Sequence, residues 1–214
     1  MTSLILLVMT MAPHEHGHAG RDRHGNPDDL SSYIARMEDP ARDAWQKPDA
    51  VVKSLELKSG QTICEIGAGP GYFTKPLARA VGRDGVVFAV DVEPTILAAL
   101  RDRLKAAALS NVTPVLGMAD DPLVPPKICD VIFIVDTFHH FADGTAYLKR
   151  LVASLKAGGR IVNIDFHKRE LPVGPPPDHK VAREEFLAHA KAAGLRVVRE
   201  ATYLPHQYFL VLAP

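Results

Sequence analysis

The fold class is indicated by the glycine-rich segment Glu65-Ile66-Gly67-Ala68-Gly69-Pro70-Gly71. It begins inside the short apolar run Thr62–Ile66, and the residues from 72 to 81 have helical spacing. An apolar run, a glycine-rich turn and a helix in this order are typical of the first unit of a parallel sheet. Glycines let the backbone turn sharply and let a ligand approach the main chain closely. The sequence therefore predicts a ligand-binding turn directly after the first strand.

The same alternation of short apolar runs and helical segments continues outward from this turn. Because the runs are apolar throughout rather than alternating, we expect both faces of each strand to be covered, as in a parallel sheet between helices. The fold class expected is α/β, with a doubly wound, mostly parallel sheet and helices on both faces. The further predicted strands are residues 86–90, 112–116, 131–135 and 160–165, followed by two near 195–199 and 208–212.

Composition argues against nucleic-acid binding and predicts the state of the two cysteines. The chain has 214 residues, with 25 Lys and Arg balanced by 25 Asp and Glu. A nucleic-acid binder that acts through phosphate charge should be basic, so we expect no nucleic-acid partner. Cys64 and Cys129 both lie in strand-like apolar runs, which predicts buried thiols rather than a disulfide framework.

The N-terminal residues 1–28 are predicted to be a disordered, histidine-rich arm, followed by one domain with N-terminal helices over residues 29–214. His14, His16, His18 and His24 could in principle bind a metal, but the arm offers no cysteine and no regular structure, so we expect no metal site. No run reaches the ~18–20 apolar residues that span a bilayer. We expect a cytoplasmic protein; export is the alternative if residues 1–12 belong to a signal peptide.

Acidic residues follow three of the predicted strands. In an open parallel sheet, ligands bind beyond the carboxyl ends of the strands. Asp91 ends the second strand, where a carboxylate can accept hydrogen bonds from both hydroxyls of a ribose. Asp120 follows the third strand, near the expected position of an adenine edge, and Asp136 follows the fourth.

Two classes of cofactor use this architecture. A dinucleotide site requires Gly-x-Gly-x-x-Gly, but Tyr72 stands at the third glycine position and Pro70 has no N–H for a phosphate. Glu65 also places negative charge two residues before the first glycine, which suits an ammonium and a sulfonium better than a pyrophosphate. These three residues argue against a dinucleotide, and a dinucleotide-dependent oxidoreductase is the less favoured alternative.

These residues resemble those of a known family. Glu65 to Gly71 resembles motif I of the class I S-adenosylmethionine-dependent methyltransferases, and Asp91 falls at the ribose-binding acid of that family. Residues 155–160 are similar to the Gly-Gly turn before strand five, and residues 136–141 to the segment after strand four in small-molecule members. The resemblance runs from about Trp45 to the C-terminal end of the sequence.

The resemblance implies a Rossmann-like sheet of seven strands with the last one antiparallel, S-adenosyl-L-methionine as cofactor and a small-molecule acceptor. Met118 stands where many members have an aspartate that contacts the adenine. The adenine contact is therefore expected from Asp120 instead, or from the backbone of Met118. The cofactor-binding residues implied are Glu65, Gly67, Ala68, Gly69, Gly71, Tyr72, Asp91, Val92, Asp120 and Asp136.

The acceptor side is predicted to lie just after Asp136. His139 and His140 are candidates for a general base because imidazole titrates near neutral pH; the alternative is that both bond loop carbonyls. Trp45 and Gln46 form either a lid over the cofactor or a helix packed on the core. A non-catalytic module that keeps the cofactor pocket is a further alternative, and the sequence identifies neither the acceptor nor the oligomeric state.

Overall fold

The computed structural model describes residues 30–214 and contains one seven-stranded sheet. The strands follow the order β3-β2-β1-β4-β5-β7-β6, and β7 runs antiparallel to the other six strands. This confirms the expected mostly parallel α/β sheet with an antiparallel last strand. The strands are β1 (Thr62–Ile66), β2 (Val86–Asp91), β3 (Val112–Leu116), β4 (Cys129–Val135), β5 (Leu155–Phe166), β6 (Arg196–Ala201) and β7 (Gln207–Ala213).

Seven α-helices accompany the sheet in the described part of the chain. They are α1 (Leu30–Met37), α2 (Arg42–Gln46), α3 (Pro48–Ser54), α4 (Thr74–Val81), α5 (Pro94–Ala106), α6 (Gly144–Ser154) and α7 (Arg183–Ala192). Short 3₁₀ helices lie at Phe138–His140 and Pro177–His179. Strand β5 begins at Leu155 rather than at Arg160, because Leu155 already pairs with Cys129 across a register shift.

The core shows why the strands are apolar throughout. In β4, Ile132 and Ile134 pack on the side of α6 and α7, whereas Val131 and Phe133 pack on the side of α3 and α4. All four side chains are fully buried. Successive side chains of a strand point to opposite faces, so a strand covered on both faces needs an apolar residue at every position.

Cys64 and Cys129 form a disulfide, so the prediction of buried free thiols was wrong. Both residues are fully buried, as predicted, and their Cα atoms lie 5.9 Å apart, within the range that a disulfide spans. The two cysteines are 65 residues apart in sequence. They meet because β1 and β4 are neighbours in the sheet, and this adjacency is not visible in the number or spacing of cysteines.

Residues 30–214 were compared with the requirements of a membrane-spanning helix and of a metal site. In this range no helix has the length and apolar character needed to cross a membrane. The same range holds no group of three side chains from His, Cys, Asp or Glu placed to bind a metal ion. The predicted arm at residues 1–28, with its four histidines and its apolar run, lies outside the described residues.

Candidate active site

The glycine-rich loop directly follows β1, as the sequence predicted. Gly67, Gly69 and Gly71 have φ angles of +73°, +55° and +103°, a region that residues with a side chain rarely adopt. A Cβ atom on Gly67 would lie 2.2 Å from Oγ1 of Thr137, which follows β4. The missing side chain thus allows the loop after β1 to lie directly against the segment after β4.

The N–H groups of this loop are consumed inside the protein. Pro70 has none, and the other four donate to protein acceptors: Gly67 and Ala68 to the Val90 carbonyl at 2.9 Å, Gly69 to the Asp91 carboxylate at 2.9 Å, and Gly71 to the Ala68 carbonyl at 3.2 Å. A pyrophosphate is normally bound by free N–H groups at such a turn. The loop therefore does not suit a dinucleotide, although it leaves bare main chain on its surface.

Two acidic side chains lie at the loop. Asp91 ends β2, accepts the N–H groups of Gly69 and Glu93, and has a pKa raised by burial. Glu65 is buried beneath the loop, accepts a hydrogen bond from the Thr74 hydroxyl, and has a pKa that burial raises to about 8. At neutral pH Glu65 therefore keeps its proton, unlike the negative charge expected from the sequence, and Asp91 is the acceptor suited to a ligand with hydroxyl groups.

The predicted adenine side forms an open rim. Val92 and Met118 are each 56% exposed, and Asp120 is exposed on the turn after β3. Tyr147 of α6 is buried below this rim, where burial and the charges of the nearby aspartates, Asp91 among them, raise its pKa. Sequence reasoning placed Tyr147 in the core and did not connect it with this rim.

Helix α1 lies across the glycine loop. The methyl carbon of Met37 is 3.4 Å from the position that a Cβ on Gly69 would take. Glu38, next to α1, forms ion pairs with Arg103 of α5 at 2.7 Å and with Lys75 of α4 at 3.6 Å. Helix α1 therefore covers the glycine loop, and the ion pairs of Glu38 connect its end to α4 and α5.

Helix α2 continues this cover. The guanidinium of Arg42 lies 4.2 Å from the ring centroid of Tyr72, whose hydroxyl donates to Asp43. Tyr72 thus faces α2 from the loop side. Trp45 packs near the rings of Phe166 and His206, with centroid distances of 5.6 and 6.3 Å.

Asp136, immediately after β4, joins α2 to β7. Its carboxylate accepts hydrogen bonds from Gln46 at 2.8 Å and from Gln207 at 2.6 Å, and lies 3.9 Å from Arg42. The backbone of Asp136 has a φ of +51°, an uncommon conformation that often marks functional positions. Burial and the charge of Asp165 raise its pKa to about 6. Sequence reasoning did not identify Gln207 or Arg42 as partners of this residue.

The two histidines after Asp136 have different surroundings. His139 Nδ1 lies 3.0 and 3.1 Å from the two carboxylate oxygens of Asp165, and the side chains are 6% and 0% exposed. Burial disfavours the charged imidazolium, but the hydrogen bond to Asp165 and the charges of Asp165 and Asp136 outweigh it, so the pKa of His139 is raised. His140 is exposed, with its ring centroid 4.3 Å from that of His139.

Comparison with known proteins gives consistent results. A family model described as a methyltransferase domain matches residues 63–159. The chain is 30% identical over 135 residues to the protein-L-isoaspartate O-methyltransferase of Ignicoccus hospitalis, covering 61% of this chain and 56% of that protein. It is 30% identical over 112 residues to the ubiquinone/menaquinone biosynthesis C-methyltransferase UbiE of Vibrio vulnificus, covering 52% and 43%. The chain spans about half the length of these curated relatives.

A solved structure matches over more of its length. The crystal structure of a SAM dependent methyltransferase from Aquifex aeolicus superimposes with a TM-score of 0.81 at 28% sequence identity. The match covers 85% of this chain and 96% of that chain.

Proposed function

We propose, on the premise that this chain belongs to the class I S-adenosylmethionine-dependent methyltransferases, that it transfers a methyl group to a small-molecule acceptor. S-adenosylmethionine is the cofactor of this family. The glycine loop carries the proposal, because its N–H groups are all bonded within the protein and the Asp91 carboxylate lies against it. Such a site favours a cationic nucleoside over a pyrophosphate.

The residues present suit the parts of this cofactor. The bare main chain of residues 67–71 would lie against it, Asp91 would accept the ribose hydroxyls, and Val92 with Asp120 would border the adenine. Glu65, Tyr72 and Asp136 would line the remainder. When bound, S-adenosylmethionine supplies a methyl group on a positively charged sulfur, which keeps the electron pair of the broken carbon–sulfur bond.

His139 is the proposed general base. Methylation of an acceptor X–H replaces the proton by a methyl group, so the proton has to be taken up by another group. His139 lies after β4 beside the loop, and a base whose pKa lies near the working pH is the most effective. The proposal therefore favours an acceptor with a dissociable proton, such as a hydroxyl or an acidic carbon. His140, exposed beside it, is the less favoured candidate.

Two observations support a small-molecule acceptor. The chain has equal numbers of acidic and basic residues, which does not favour a polyanionic partner. The rings of Trp45, Phe166 and His206 pack together near the end of β5, and with Phe166 almost fully buried, the partly exposed rings of Trp45 and His206 are the ones that would contact a flat apolar molecule. The isoaspartyl peptide and quinone acceptors named for the relatives remain classes to be tested.

Calorimetry and a transfer assay test the proposal. The full chain should bind S-adenosylhomocysteine and should not bind NADH. Transfer of a radiolabelled methyl group should then be measured over a panel of phenols, quinols, thiols and an isoaspartyl peptide. Binding of NADH alone would favour the oxidoreductase alternative, and cofactor binding without transfer to any acceptor would favour the non-catalytic module. Transfer to the peptide alone would reject the small-molecule acceptor.

A further inference from the structure

We propose that Asp165 is a positioning residue that fixes the tautomer of His139 and leaves Nε2 as the basic atom of the ring. The inference rests on the proposed function in taking His139 as the base. No sequence motif connects the two residues, which are 26 positions apart. Asp165 is not adjacent to any motif that the sequence singles out.

The hydrogen bond itself determines the tautomer. An ionised carboxylate accepts hydrogen bonds but cannot donate, so the Nδ1 atom facing Asp165 at 3.0 Å has to carry a hydrogen. In the neutral ring the lone pair is then on Nε2. Because both side chains are nearly fully buried, water does not compete for this hydrogen bond, and a buried carboxylate without a donor would be costly.

Asp165 is itself held rigidly. It lies in β5, where it pairs with Tyr208 of β7, and the backbone N–H of Phe166 donates to its Oδ1 at 2.8 Å. His139, in contrast, lies in a 3₁₀ helix on the segment after β4. The strand residue thus provides the fixed point against which the ring on the loop is oriented, as precise sites generally require.

The charges around His139 come from several elements. Asp165 of β5 and Asp136 after β4 are negative, and Arg42 of α2 lies beside Asp136. The ring of His140 lies beside that of His139, tilted by 41°. Burial raises the pKa of Tyr208 in β7, and the nearby charge of Asp165 raises it further. Removing the charge of Asp165 should therefore lower the pKa of His139.

An Asp165→Asn substitution should also reverse the tautomer. The amide oxygen would accept the Phe166 N–H, which leaves the amide NH₂ facing His139 Nδ1. A nitrogen that accepts from this NH₂ cannot carry a hydrogen, so the hydrogen would move to Nε2. Asp165→Glu keeps the charge and is the conservative variant.

The test uses the full chain with ¹⁵N-labelled histidine and NMR correlations that report ring tautomer and titration, with His139 assigned through His139→Gln. We expect hydrogen on Nδ1 in the wild type. In Asp165→Asn we expect hydrogen on Nε2 and at least a tenfold loss of proton affinity, about one pH unit. Asp165→Glu should restore the wild-type midpoint. Asp130→Asn, at the opposite end of β4, is the matched control and should leave the His139 signals unchanged.

Two results would overturn the proposal: hydrogen on Nε2 in the wild type, or a wild-type tautomer and midpoint in Asp165→Asn. If Asp165→Asn does not fold, the wild-type tautomer and the Asp165→Glu titration still decide. Calorimetry with S-adenosylhomocysteine on the same samples separates the two proposals. Absence of binding by the wild type would reject the proposed function while the tautomer measurement stands.

Discussion

Among single residues, Gly69 combines a left-handed backbone with a position directly against the side chain of Met37. A Gly69→Val substitution forces a branched residue into a φ of +55° and fills the space below Met37. We expect calorimetry to detect no binding of S-adenosylhomocysteine by this variant. Gly158→Val is the control, because Gly158 has a φ of +75° with no atom within 4 Å of its Cβ position. Near-normal binding by Gly69→Val would refute the role assigned to the loop.

Asp91 is the residue whose charge serves both the loop and the proposed ribose contact. Asp91→Ala removes the acceptor of the Gly69 and Glu93 N–H groups. We expect the affinity for S-adenosylhomocysteine to fall by about 1–3 kcal/mol, the usual range for hydrogen bonds to a charged group. Titration calorimetry measures this loss, with Asp84→Ala at an exposed turn as control. An unchanged dissociation constant would move the ribose contact to Glu93.

Among the helices, α2 is held to the sheet by polar side chains as well as by the ring of Trp45. Gln46 is fully buried, donates to Asp136 and accepts from Arg42. Gln46→Leu keeps the size but leaves the Asp136 carboxylate with one amide donor fewer. We expect α2 to open more easily by about 1–3 kcal/mol, seen as faster hydrogen exchange of its amides.

A second glutamine provides the control for α2. Gln61 accepts the backbone N–H of Lys58 just before β1, at the other end of that strand from the loop. Gln61→Leu should leave exchange in α2 at the wild-type rate. Equal exchange rates in Gln46→Leu and the wild type would show that Gln46 does not hold the helix in place.

At the scale of the whole molecule, the disulfide ties β1 to β4 in the centre of the sheet. It closes a long segment of 65 residues, and such a link stabilises mainly by restricting the unfolded chain. The double variant Cys64→Ala, Cys129→Ala should lose about 2–4 kcal/mol in urea unfolding. Wild-type protein should show no free thiol by mass spectrometry after alkylation. Equal unfolding midpoints for variant and wild type would contradict this role.

The pH dependence of global stability should include a contribution from Glu65. Its folded-state pKa, about 8, lies above the ordinary value of 4.5 because of burial. The folded state therefore keeps a proton that the unfolded state loses, and stability falls as pH rises from 4.5 through 8. Glu65→Gln removes this cost. We expect the variant to gain on the wild type by a few kcal/mol, at about 1.4 kcal/mol per pH unit.

Urea unfolding of both proteins at pH 5 and pH 9 measures this difference. The advantage of Glu65→Gln should be small at pH 5 and large at pH 9. Glu56→Gln, at an exposed position, should show the same stability difference at both pH values. A constant difference between Glu65→Gln and the wild type would mean that Glu65 ionises normally in the folded state.

The extents of β1 and β3 and the place of the glycine turn could be predicted because they depend on neighbours in the chain. The central strand β1 is almost entirely buried, as its apolar run predicts, whereas β3 lies at the edge of the sheet and is only partly buried. The positive φ angles at Gly67, Gly69 and Gly71 reflect local sterics. A helix at Trp45 and Gln46 was one of two alternatives, and the bounds of α2 could not be predicted because five residues are too few to show a helical period.

The strands, the turn and the order of acids along one edge of the sheet follow from local patterns in the chain, because hydrophobic periodicity and backbone sterics act over a few residues. The three-dimensional fold is needed to show that His139 rather than His140 contacts Asp165, that Gln46 and Gln207 both bond Asp136, and that Cys64 bonds Cys129. These pairs lie 26 to 90 residues apart, so the strand order brings them together and no local pattern records it.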